Sequence, residues 1–544
     1  MCQLLFAARL YSHPECAYTV ADKRPGKTYM DTTPTRIIIL GGGTAGWMTA
    51  AGFVKTLRPE FFDVRLIESE EIGTVGVGEA TLPQLKDFND FLELNEPEFM
   101  RETNATFKLG IDFRNWARDG DSYIHPFGIH GQAINGVPLF QYWLRAQQSG
   151  HASNLEDYSF SIAACRGNRF DFPSNDDRSV RSTFAYAYQF DALLYARFLR
   201  RWAEARGLRR IEGKVVDVTL RPEDGFIQSL TLASGEVVEG DLFIDCSGFR
   251  SLLLGQTLKV GWQDWTPWLP CDRALAVPCE RTDDLTPYTR ATAREAGWTW
   301  RIPLQHRTGN GYVFSSQFTT EDRAAEVLLA GLDGEAQAEP RLLKFQAGRR
   351  TQSWYKNCIA VGLASGFLEP LESTSIHLAQ IASDLVMRLF PGKTVDPKLS
   401  DEFNRRIDVE YDRVRDFLIL HYHANQKPAE EDPTGLWRYV REKEVPDTLK
   451  SKMETFLHRG HIHRYRDGLF APPSWVAVYT GQRILPRHYD RQVDNMSLDV
   501  VLEKMAEMRD RVAVNVESLP THADFLKSYC FDPSAQTLQE ADNG

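Results

Sequence analysis

No stretch of the sequence runs apolar for the roughly 18 residues that a bilayer-crossing helix needs, so no membrane partner is expected. The opening Leu4-Leu5-Phe6-Ala7-Ala8 is too short for the core of a secretory signal and has no basic flank before it. Cysteine is sparse and scattered. The eight residues at 2, 16, 165, 246, 271, 279, 358 and 530 include no CxxC pair and lack the density of a small secreted scaffold. They read as reduced thiols, and the expected location is the cytoplasm. Long blocks of one charge are missing too: the longest is Glu430-Glu431-Asp432, and 63 Lys+Arg against 74 Asp+Glu leave a net charge of −11. A nucleic-acid partner is therefore not expected. Internal repeats and low-complexity segments are absent as well. What is present is a globular composition, 42% hydrophobic and 25% charged over 544 residues, enough for a large core and more than one domain.

Residues 1–34 show no sustained period and carry Pro14, Pro25, Gly26 and Pro34; they read as a poorly ordered extension, with Met30 an alternative start of translation. Arg36-Ile37-Ile38-Ile39-Leu40 is a short apolar run ending in glycines, the pattern of a strand buried on both faces of a parallel sheet. It opens an α/β, Rossmann-like core expected over 35–390, with substrate-binding segments inserted. From Asp191 to Arg206 apolar residues recur at helical spacing, with Asp191 placed to cap the helix and Gly207 to stop it. Residues 214–220, 226–233 and 236–239 alternate between turn signals and predict an antiparallel meander. After Pro391 the periods become long and helical, clearest over 403–423, 449–458 and 498–516, which predicts a mostly helical region over 391–544.

Gly41-Gly42-Gly43-Thr44-Ala45-Gly46 satisfies GxGxxG directly after the buried strand and before a helix. Gly41 makes the tight turn, Gly43 lets a pyrophosphate approach the backbone, and Gly46 lets helix and strand pack closely. Thr44 and Ala45 open the helix at whose N-terminus phosphates would sit. The next strand ends at Glu68, placed to hold a ribose hydroxyl. Two further strand-and-glycine runs follow, Asp241-Leu242-Phe243-Ile244-Asp245-Cys246-Ser247-Gly248 and Cys358-Ile359-Ala360-Val361-Gly362-Leu363. Three such elements converging on one ligand point to a long, extended dinucleotide, FAD rather than NAD.

With these motifs in hand, the sequence resembles the tryptophan halogenase family of flavin-dependent halogenases. The resemblance is carried by 41–50, Gly76-Val77-Gly78-Glu79-Ala80-Thr81-Leu82-Pro83, Asn104-Ala105-Thr106-Phe107-Lys108, His125-Pro126-Phe127-Gly128, Trp298-Thr299-Trp300-Arg301-Ile302-Pro303 and Phe367-Leu368-Glu369-Pro370-Leu371-Glu372-Ser373-Thr374. It implies a chemistry in which FADH2 from a separate reductase, O2 and a halide, bromide or chloride, yield hypohalous acid, which travels through a tunnel to an indole or other electron-rich ring. Lys108 is similar to the lysine that holds the hypohalous acid or becomes a haloamine. Glu372 matches the catalytic carboxylate, and could equally stabilise the start of the following helix. Thr374 and Ser375, at that helix's N-terminus, are the expected halide site, and Ser373, Gly362 and Leu363 expected flavin contacts. Trp298 and Trp300, on one face of a strand, would stack as a wall beside the flavin, with Ile302, Pro303, His125 and Phe127 lining the tunnel and substrate site.

The sequence departs from the resemblance at two places. Ser375-Ile376-His377 follows Thr374 where glycine is common, which crowds the anion site and leaves halide preference open. No tyrosine- and asparagine-containing lid for a free amino acid is found; Gly468-Leu469-Phe470-Ala471-Pro472-Pro473-Ser474-Trp475-Val476 stands there instead. His461-Ile462-His463 has metal spacing but no third ligand nearby, so no metal is expected. The competing readings are a flavin-dependent aromatic monooxygenase and a flavin-fold binding protein without turnover; the sequence leaves monomer and homodimer both open.

Overall fold

The computed structural model describes residues 33–71, 78–151, 153–283, 285–390, 392–463 and 468–531. The expected extension over 1–34 therefore lies, apart from Thr33 and Pro34, outside the described residues. The first layer is a six-stranded sheet. Strand β1 (Thr35–Leu40) is its centre and feeds helix α1 (Thr44–Thr56); β2 (Phe62–Glu68) lies parallel on one side of β1, and β12 (Leu242–Asp245) parallel on the other. Beyond β12 lies β19 (Cys358–Ala360), edged by the short antiparallel β18 (Trp354–Tyr355), and beyond β2 lies β8 (Arg209–Glu212). Ile37, Ile38 and Ile39 are fully buried because helices or the meander cover both faces. The meander is β9 (Val215–Leu220), β10 (Ile227–Leu232) and β11 (Val237–Glu239), all antiparallel, as the alternation predicts.

A second layer grows from insertions between these strands. β3 (Gly78–Ala80), β7 (Ala187–Asp191) and β4 (Thr106–Lys108) make a three-stranded sheet in that order. A seven-stranded sheet combines β5 (Gly110–Arg114) and β6 (Ser122–Pro126) with β13 (Arg273–Cys279), β14 (Thr289–Arg294), β15 (Gly297–Pro303), β16 (Thr308–Phe314) and β17 (Arg341–Lys344), in the order β17-β13-β16-β15-β14-β5-β6. Helix α2 (Ala192–Glu204) follows β7 directly. Asp191 caps it, its carboxylate accepting from the N–H groups of Leu193 and Leu194 at 3.0 and 3.3 Å, and Gly207 beyond it adopts φ +94°.

The helices after residue 390 join the same core. Helix α3 (Ser375–Arg388) packs on α1, and α4 (Pro397–His423) runs for 27 residues beneath both layers, burying Phe403, Ile407, Tyr411, Val414 and Phe417–Tyr422. Further helices of this region are α5 (Asp447–Arg459), α6 (Pro472–Gly481), α7 (Leu498–Glu517) and α8 (His522–Phe531). Among the described residues no helix is long and apolar enough to cross a membrane.

Candidate active site

The cofactor cradle forms where β1, β12 and β19 end side by side. Gly41 adopts φ +116°, and a Cβ there would fall 2.2 Å from the carbonyl oxygen of Cys246, so the β1 and β12 turns touch. A Cβ on Gly46 would lie 1.9 Å from the carbonyl of Gly41, and one on Gly362 2.9 Å from Cβ of Ala45, which brings the β19 turn and Leu363 onto the same helix start. At Gly43 the space beyond is open, and no side chain caps the first N–H groups of α1 beyond it. The three glycine elements thus converge as the sequence implies, and a cradle with free N–H donors and room at Gly43 fits a dinucleotide pyrophosphate. Glu68 stands at the end of β2 but not alone. Trp47 Nε1 donates to it at 3.3 Å and Arg200 at 3.4 Å, and Arg210 joins them. The two arginines come from α2 and β8 and carry no local sequence signal.

Lys108 ends β4 and is fully buried. Its Nζ donates to the Thr81 carbonyl at 3.0 Å and the Ser373 hydroxyl at 2.8 Å, and lies 5.0 Å from the Phe127 ring centre. Burial pulls its ammonium down to about 7, against the opposing pull of the Glu372 carboxylate. Ser373 accepts the bond from the lysine with its hydroxyl. Its φ of +59° turns the chain sharply, so the side chain points back at Lys108.

Glu372 closes a 3₁₀ turn, Pro370–Glu372, and α3 begins only at Ser375. The expectation that it also stabilises the helix start is corrected: the turn at Ser373 separates it from the first helical residue. Its carboxylate is fully buried between two imidazoles, Oε2 2.8 Å from His125 Nδ1 and Oε1 2.8 Å from His421 Nε2. The first is an aligned hydrogen bond; the second is a close approach without hydrogen-bond alignment. Burial pushes the carboxyl up, but the two imidazoles outweigh it and hold it at about 2. His421 is itself fixed by Nδ1, 2.8 Å from the carbonyl of Phe417. Aromatic side chains enclose this centre: Phe417 stacks on Phe470 at 3.9 Å and meets Trp475 edge-on at 4.9 Å, and His125 lies 6.1 Å from Phe470. His421 and Phe417 were not identified from sequence. They sit four apart on α4, and the only signal was the apolar period that buried them.

The two tryptophans of β15 do share a face, with ring centres 6.2 Å apart, but their planes are inclined by 57° and they do not stack as expected. The reason is a separate anchor on each. Trp298 Nε1 donates to Glu369 at 3.0 Å, and Tyr422 donates to the same oxygen at 2.9 Å. Trp300 lies over Gly311, where a Cβ would come within 2.0 Å of its ring. Burial pushes the Glu369 carboxyl up to about 7. Further along β15, the Pro303 carbonyl accepts from Thr106 at 2.7 Å and Ile302 packs on Gly78, which ties the strand to β4. Thr374 is buried with an unpartnered hydroxyl beside the first N–H groups of α3. His461 and His463 are exposed, and among the described residues no group of three or more His, Cys, Asp or Glu is placed for a metal.

A dinucleotide cradle joined to a buried amine, a doubly held carboxylate and a tryptophan-bearing strand defines the class: flavin-dependent halogenases. The tryptophan halogenase family model matches residues 36–498. Tryptophan 6-halogenase SttH of Streptomyces toxytricini is 34% identical over 91% of this chain and 98% of its own. Among solved structures, the flavin-dependent halogenase BrvH of Brevundimonas sp. BAL3 is 45% identical, covering 92% of this chain and 100% of its own, with a TM-score of 0.88. Xcc4156, a flavin-dependent halogenase of Xanthomonas campestris, is 45% identical over 91% and 98%, with a TM-score of 0.87. The chain belongs to the tryptophan halogenase family, and its activity is that of a flavin-dependent halogenase.

Proposed function

We propose that this enzyme halogenates an uncharged indole or similarly electron-rich arene, with Lys108 meeting the oxidant and Glu372 taking the ring proton. The observation that carries this reading is the Lys108–Ser373 hydrogen bond, which sets a buried amine one residue from the carboxylate clamped by His125 and His421. Reduced FAD, supplied by a separate reductase and held by Gly41, Gly43, Gly46, Gly362 and Leu363, would furnish with O2 and halide the hypohalous acid. Thr374 and the free N–H groups opening α3 receive the halide. Lys108 spends two of its donor positions on Thr81 and Ser373 and keeps the third for the oxidant, orienting and polarising the O–halogen bond at a buried position. Trp298, tethered through Glu369, keeps organic substrate away from the flavin side. When the halogenated ring is cationic, Glu372 is ionised and accepts its proton, His125 and His421 stabilising the carboxylate until then.

The preference for an uncharged ring rests on the enclosure. Phe417, Phe470 and Trp475 offer aromatic faces, while two cations on the neighbouring helices are already committed, Lys452 to Asp416 at 3.0 Å and Arg415 to Asp416 at 2.8 Å. A zwitterion would bury charges with few partners. The test supplies reductase, NADH, FAD, bromide and indole to the purified enzyme. A product heavier by bromine is expected; one heavier by oxygen would favour the monooxygenase reading.

A further inference from the structure

The strand that carries Lys108 is three residues long and, among the described residues, lies at the edge of its sheet, paired with β7 alone. An edge strand leaves N–H and C=O groups facing away from the ladder, and a buried edge must satisfy them. Residues 285–287 run along this open side. The N–H of Leu109 donates to the Pro287 carbonyl at 2.8 Å, but the N–H of Phe107 is taken by a side chain. It donates to Nε2 of His522 at 3.2 Å, and Nδ1 of the same ring donates to the Leu285 carbonyl at 2.8 Å. One imidazole thus bridges the two segments where their backbones do not meet.

His522 comes from α8, 415 positions along the chain from Phe107, and is fully buried. Both ring nitrogens are satisfied by the neutral ring with its hydrogen on Nδ1, and burial pulls this imidazole down to about 4, so that form persists at working pH. The helix behind it is held along its length. The His522 N–H donates to the Asn168 carbonyl at 2.8 Å, Thr521 caps the Asp524 N–H at 3.1 Å, Tyr529 donates to Glu96 at 2.7 Å, and Arg101 donates to the Cys530 carbonyl at 2.7 Å. Phe525 and Tyr529 pack on the ring of Phe107, 5.7 and 6.0 Å away.

We propose that His522 is a positioning residue for halogenation: by closing the open edge of β4 it holds Lys108 in register with Thr81 and Ser373. Helix α8 then sets the aim of the amine, although none of the motifs that carry the resemblance lies on it. This rests on the reading of Lys108 as the group that meets the oxidant.

The test compares His522→Phe, which fills the volume without an acceptor, with His522→Gln, which retains one acceptor and one donor. Two measurements are made on the full chain: amide hydrogen exchange over 103–109, and bromide incorporated into indole per reduced flavin consumed. In His522→Phe, exchange at the Phe107 amide should rise about tenfold or more, and kcat for bromination should fall about tenfold or more at unchanged KM for indole. Flavin consumption should continue, and His522→Gln should restore both quantities. Protection of Phe107 unchanged in His522→Phe would overturn the tether. Bromination falling only in step with flavin consumption would overturn the positioning role. Should His522→Phe fail to fold, His522→Asn, too short to span both partners, is judged by the same two outcomes. The exchange arm reports on the tether whatever Lys108 does, so failure here and failure of the Lys108 reading remain distinguishable.

Discussion

At the scale of single residues, the buried amine of Lys108 is held against stability. Lys108 ionises with a pKa near 7 in the folded chain, well below its usual value near 10.5. A base whose folded pKa is depressed costs stability wherever the unfolded chain would hold the proton. The cost is full below about pH 7 and vanishes as pH climbs past about 10.5, amounting to no more than about 4–5 kcal/mol before its hydrogen bonds are counted. Lys108→Met should therefore raise the melting temperature at pH 6–7 by about 2–4 °C, a gain that shrinks toward pH 10, as calorimetry across that range would show. A lower melting temperature at pH 6 would mean that the bonds to Thr81 and Ser373 outweigh desolvation. Glu372 has the opposite sign. Its folded pKa of about 2 contributes stability present above about 4.5 and lost as pH falls toward 2. Glu372→Gln keeps the shape and removes the charge held by His125 and His421; halogenation should fall about 10–100-fold while flavin oxidation persists, and equal activity would leave Glu372 without a catalytic role. The sequence indicated both residues through their motifs. It did not show that Ser373 turns back to the lysine, because a positive φ at a serine has no compositional signal of the kind glycine provides.

At the scale of elements, the long helix α4 does most of the assembling. Its adjacent residues His421 and Tyr422 reach the two glutamates of one short segment, Glu372 and Glu369, so a single helix fixes both the carboxylate and the Trp298 wall. Tyr422→Phe removes one of two donors from a buried carboxyl. It should destabilise the fold by about 1–3 kcal/mol in denaturant melts and lower halogenation per flavin consumed; an unchanged melt would show the hydroxyl to be dispensable. The period that revealed α4 was legible from residue 403, whereas the helix begins at Pro397 with Asp396 as its cap. Its partners were not legible, since pairing across about 50 residues leaves no local pattern. The parallel strands, the capped α2 and the meander were readable because each is specified by its own period and turns. The inclined tryptophans were not, because Glu369 and Gly311, distant in sequence, set their angles.

At the scale of the whole molecule, the cradle and the amine are held in one hydrophobic core that includes residues from Ile37 to Cys530. Deletion of residues 1–29, which carry no periodic element, should leave folding and activity intact; a fall of many degrees in melting temperature would show that they pack on the core. Specificity follows from the enclosure as a whole. Indole should be brominated with a higher kcat/KM than free tryptophan is chlorinated, because the zwitterion finds few partners and bromide is more easily oxidised and stripped of water beside Ser375. Efficient tryptophan chlorination above that value would refute both parts. The most direct test of the account is Lys108→Ala, assayed with reduced flavin, O2, bromide and indole while reduced-flavin oxidation and product bromine are followed together. The account predicts oxidation at nearly the wild-type rate with bromination abolished. Bromoindole formed at near the wild-type rate would contradict it.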